Sequence, residues 1–149
     1  MLACSKKTNL TFSETLTNCL ANAVCTYNYY DNVDTYNQNQ LIGGNARVFT
    51  YDNKDANKII TQLSFKTSLS NNEFEISSAQ IAAGNLVFFS IICPACNYVL
   101  SKPVGGDIKG KKTDPTHWLV NASVVLGNSF NKNLDTIKII QYYNLQQTF

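Results

Sequence analysis

A chain of 149 residues carrying a net charge of +2, with charged residues at 15%, is one domain's worth of polypeptide and long enough to bury a core. Eleven Lys against the single Arg47, with a pI near 8.2, argue against a nucleic-acid partner, because Arg is the usual reader of phosphates and base edges. The longest apolar run, Asn85 to Cys96, is too short to span a bilayer, so membrane contact is expected only through a lipid.

At the start, Met1-Leu2-Ala3-Cys4 sets a small residue before a Cys, and Lys6, Lys7, Thr8 and Asn9 follow. These residues resemble the end of the lipobox of bacterial lipoproteins, with Met where Leu is usual. The resemblance implies a mature or trimmed form. It also implies an acyl chain on Cys4 and a place in the bacterial cell envelope, at the outer membrane or cell surface. Residues 1–8 then read as lipobox remnant and tether, and residues 9–149 as a single β domain. Acylation of Cys4 leaves Cys19, Cys25, Cys93 and Cys96, an even number suited to two disulfides in an oxidising compartment. Three pairings are open, and the local one needs the least chain closure.

Beyond the tether, the segment Asn9–Leu16 is the first strand candidate, and Thr15–Asn22 has room for one helical turn. Val24–Tyr30 and Asn45–Tyr51 follow as strands, with Gly43-Gly44 and Asp52-Asn53-Lys54-Asp55 as turns. From Lys58 to Ser70, Ile59, Leu63, Phe65 and Leu69 fall on one face and Gln62, Ser64, Lys66 and Ser68 on the other, the pattern of a half-buried strand. Phe74–Ala79 is the next candidate. Asn85–Ile92 is apolar on both faces and is expected at the centre of a sheet. Leu119–Leu126 and Thr136–Tyr143 read as a closing pair joined through Gly127 to Asp135. Strands at roughly ten-residue spacing predict an all-β fold, an antiparallel Ig-like β-sandwich of about seven to nine strands, with a β-barrel as the alternative.

Several residues invite a chemical role. Cys93-Pro94-Ala95-Cys96 after an apolar strand resembles the redox motif of thioredoxin- and glutaredoxin-like proteins, where the first Cys sits at a helix N-terminus and becomes the attacking thiolate. The following Asn97–Pro103 is strand-like, so a structural disulfide or thiol pair at a strand end is expected instead. His117, the sole His, precedes the sole Trp118 with no nucleophile motif beside it, and both are expected to be structural. The Asx clusters Asp31-Asn32-Val33-Asp34 and Asp52-Asn53-Lys54-Asp55 lack the spacing and terminal Glu of a calcium loop. Lys102 to Lys112, with four Lys and three Gly, does not meet the phosphate-loop pattern and suits a solvated edge strand or hairpin. Tyr27, Tyr29, Tyr30 and Tyr36, interleaved with Asn28, Asn32, Asn37 and Gln38, form an aromatic–amide patch suited to a glycan or protein partner.

Three Glu and seven Asp, mostly in turn-like segments, supply carboxylate pairs poorly and disfavour a hydrolase. The expectation is a non-catalytic, lipid-anchored envelope protein that binds a protein or glycan, without cofactor or metal. One alternative is a fibre- or pilus-like homo-assembly built by strand addition. The other is a thiol–disulfide oxidoreductase at Cys93 and Cys96.

Overall fold

The computed structural model describes residues 9–36, 40–93, 95–96, 101–128 and 132–147. Eight strands and one short helix follow in the order β1 (Val24–Tyr36), β2 (Gln40–Lys54), β3 (Ile60–Ser68), β4 (Glu73–Ile76), α1 (Ser78–Ala82), β5 (Val87–Ile92), β6 (Lys102–Asp114), β7 (His117–Gly127) and β8 (Asn133–Leu145). They form one sheet in the order β4-β6-β7-β8-β1-β2-β3-β5. The fold is all-β and sandwich-like, as expected. It does not close into the alternative barrel, because β4 and β5 stand at opposite ends of the ladder and do not pair.

The sheet can fold over because its middle is weak. β1 and β8 run parallel and share only the register pairs Asn28–Asn144 and Tyr29–Leu145. Every other junction is antiparallel, and the long ones run for nine or more pairs, as in Ala46–Ser68 to Lys54–Ile60 between β2 and β3. The half β4-β6-β7-β8 therefore lies face to face with β5-β3-β2-β1, and alternate side chains of both fill the space between. Phe49 of β2 is the hub. Its ring lies 5.0 Å from Phe65, 5.2 Å from Phe74, 5.5 Å from Tyr29, 5.5 Å from Tyr143 and 5.6 Å from Trp118. Leu63, Ile108, Val120, Val124 and Ile139 are among the aliphatic residues packed around these rings. Gly110 is required here, since a Cβ would fall 2.3 Å from the Phe74 ring.

Several elements differ from the sequence reading, among them Gly43-Gly44, which lies within β2 rather than in a turn. Asn9–Leu16 is not a ladder strand, and Thr15–Asn22 holds no helical turn. The segment is instead a strap. Thr17 N–H donates to the Ile140 carbonyl at 3.0 Å, and Ile140 N–H donates to Thr17 Oγ1 at 3.0 Å. Thr17 thus satisfies backbone groups of β8 where β1 has no register with it, and Asn121 of β7 exchanges two hydrogen bonds with Ser13. Phe74–Ala79 splits, because Ser77 forms a capping box with Gln80 and starts α1 after only four strand residues. Asn85–Ile92, expected centrally, ends the ladder as β5; apolarity on both faces does not fix a strand's place in the order. For Lys102–Lys112 the hairpin reading holds and the edge reading does not: β6 turns back through residues 115–116 to pair with β7, and β4 covers its 108–111 stretch on the other side. The closing pair stands, as the antiparallel partners β7 and β8.

Candidate binding groove

The four cysteines pair locally, Cys19 with Cys25 and Cys93 with Cys96. The first bridge fastens the strap to the start of β1, around a turn in which Asn22 takes φ +63°, a region Asn tolerates better than most residues. The second sits at the end of β5, where Cys96 N–H donates to the Cys93 carbonyl at 3.4 Å. Pro94 and residues 97–100 lie outside the described residues, as does Cys4 with the rest of 1–8.

The four tyrosines do not share one surface. Tyr27 and Tyr29 face the core, the former stacked on Tyr51 at 5.4 Å and the latter 1% exposed. Tyr30 points to the opposite face and lines a cavity of about 130 Å³ with Leu41, Thr50, Asp52 and Gln62. Tyr36 is 55% exposed near the end of β1. Alternation along a strand divides neighbours in this way, and the β-bulge near Val33 turns the strand again.

The Asx clusters serve the fold. Asp31 holds Arg47 in a two-pronged ion pair, Nε–Oδ1 at 2.6 Å and Nη2–Oδ2 at 3.1 Å. Asp34 holds Lys66 at 3.1 Å. Asp55 accepts from the Asn57 and Ile59 backbone amides, as a turn aspartate does. His117 Nδ1–H donates to Asp114 at 2.8 Å on the exposed β6–β7 turn, and hydrogen bonds from Thr116 N–H and His117 hold the Asp114 carboxyl below its ordinary range. Trp118, 1% exposed, is a core anchor. Among the described residues no three His, Cys, Asp or Glu side chains gather in a metal-holding group. Nor, among them, is any helix long and apolar enough to cross a membrane.

Asp52 stands apart electrostatically. Burial on the outer face raises its carboxyl pKa, and a hydrogen bond from Gln62 opposes this in part. The folded state therefore takes up the proton more readily than the unfolded chain. Stability from this group is highest below the ordinary aspartate range and is lost as pH rises through the raised value. Asp52→Asn is expected to raise the melting temperature at neutral pH, with a gain that shrinks on acidification; calorimetric scans from pH 3 to pH 8 check this.

A groove of about 650 Å³ opens at the side mouth of the sandwich. The ends of β2 and β3 (Asn45, Ala46, Thr67, Ser68) form one wall and β4 (Glu73 to Ile76) the other, with Leu86 and Gln80 closing one end. Ala46, Phe74, Ile76 and Leu86 give it an apolar part, and amides, two carboxylates, two hydroxyls and the Lys66 ammonium a polar one, a mixture that suits a binding cleft. Thr67 Oγ1 is buried here without a hydrogen-bond partner. None of these residues was singled out from the sequence, although the alternation Glu73-Phe74-Glu75-Ile76 marks a strand with two unlike faces. This is a disulfide-linked, all-β, sandwich-like domain with a lateral groove. Set against protein-family models, curated proteins and solved structures, the chain gives no match.

Proposed function

We propose that this chain is a non-catalytic binding module displayed outside the cytoplasm of a bacterial cell, tethered to the envelope by an acyl chain on Cys4. The pairing of the other four cysteines into two disulfides carries the reading. Such bridges persist in oxidising compartments and leave Cys4 as the one thiol outside a bridge. The groove between β3 and β4 supplies a place for a partner. Of the residues with a candidate chemical role, His117 is held by a turn aspartate, and Cys93 and Cys96 are bonded to each other.

Metabolic labelling with a clickable fatty acid, followed by membrane fractionation, tests the tether. The protein is expected to carry label and sediment with membranes, and Cys4→Ser to lose both. Label-free protein, or Cys4→Ser protein that still sediments with membranes, would remove the anchor from the proposal.

A further inference from the structure

The geometry points to the occupant of the groove: an extended, basic peptide segment of another protein that adds as a strand to the free edge of β4. The inference rests on the binding-module reading and supplies its partner class.

The backbone of β4 sets the direction. Glu73 pairs with Lys111 and Phe74 with Gly110, and the same register places Asn72 opposite Lys112, whose N–H donates to the Asn72 carbonyl at 2.8 Å. Hydrogen-bonded and non-hydrogen-bonded pairs alternate along an antiparallel ladder. Asn72, Phe74 and Ile76 therefore spend their amides and carbonyls on β6, and those of Glu73 and Glu75 point to the free edge. That edge borders the groove. An unpaired strand edge beside a cleft is the template for strand addition.

The side chains set the chemistry. Phe74 and Ile76 belong to the core side of β4, so Glu73 and Glu75 project from the other face. An added strand places its own residues opposite these on the matching faces. It would then set apolar side chains beside Phe74, Ile76 and Leu86, and cationic ones beside Glu73 and Glu75. The two carboxylates are open to this. Lys109 and Lys111, their cross-strand neighbours, hold their ammonium groups 5.6 Å and 5.0 Å from the Phe12 ring. Lys66, also on the groove, is tied to Asp34, and the ion pairs among the described residues include neither glutamate. A glycan fits less well, because the aromatic ring in the groove wall, Phe74, packs at a tilt among the core rings Phe49, Phe65 and Trp118 rather than lying open for stacking.

An NMR titration of the ¹⁵N-labelled chain with acetyl-Lys-Val-Lys-Val-Lys-amide tests this. The amide signals of Glu73 and Glu75 are expected to shift and to gain at least tenfold protection from hydrogen exchange. The peptide is expected to bind at least tenfold more tightly than acetyl-Glu-Val-Glu-Val-Glu-amide, with the preference falling as salt is raised. Glu73→Gln with Glu75→Gln, two exposed changes that leave the core intact, should abolish the preference. N-methylation of alternate peptide amides should abolish binding without touching the protein. The inference is overturned by β4 signals unmoved at millimolar peptide, by equal binding of the acidic peptide, by binding that survives N-methylation, or by a linear β-glucan oligosaccharide shifting the same amides. None of these outcomes bears on acylation of Cys4, so this inference and the anchor stand or fall separately.

Discussion

Asp31→Ala is expected to lower the unfolding free energy by about 3 kcal/mol, the lower end of the range for breaking a buried ion pair. Arg47 is 5% exposed and its guanidinium lies 4.7 Å from the Trp118 ring, inside the sandwich. Asp31 is its charged partner, and Nη1 is already buried without a hydrogen bond. Removing the carboxylate strands a cation where water cannot reach it. The reverse change should be milder. Asp31 keeps 31% of its side chain exposed, so in Arg47→Met the carboxylate regains solvent while a flexible apolar chain fills the space over Trp118. About half the loss of Asp31→Ala is expected there. The double substitution should be no worse than Asp31→Ala alone, which signals strong coupling between neighbours. Urea unfolding of the four proteins measures all three differences. Equal losses for the two single variants would mean that Arg47 is not the buried member.

Phe49→Ala is expected to be the most damaging single truncation, at about 4 kcal/mol. The loss has two parts. The side chain is fully buried, so its transfer from water is forfeited, and five rings contributed by five strands are left around a void. Phe74 and Trp118 belong to one half of the sandwich, Tyr29 and Phe65 to the other, so the void opens at the contact between halves. A tightly packed interior relaxes only partly into such a space. Phe49→Leu retains most of the volume and should cost about 1.5 kcal/mol. Chemical denaturation followed by the fluorescence of Trp118, the one Trp, reads both. If Phe49→Ala cost no more than Phe49→Leu, the halves would not be held together at this ring.

The strongest sequence signals were those of period two. Val24–Tyr30, Asn45–Tyr51 and the alternation from Lys58 to Ser70 correspond to β1, β2 and β3, and the apolar alternation of Leu119–Leu126 and Thr136–Tyr143 to the hairpin partners β7 and β8. A strand's two faces are written into neighbouring residues, so this much is local. The even number of cysteines behind Cys4 likewise left room for the two bridges that are present.

What the residues by themselves determined is therefore an all-β chain with disulfide-forming cysteines. The tertiary structure decided the rest. Thr17 falls in the segment read as one helical turn until β8 offers it an unsatisfied edge 123 positions away. Arg47 enters the sequence only as the single Arg, and nothing along the chain places it between Asp31 and Trp118. The groove is invisible along the chain, because its walls come from strands that meet only when the sheet folds over at its two-pair junction. Strand order and enclosed space depend on contacts between residues far apart in sequence, and periodicity carries no record of which distant edge will be left without a neighbour.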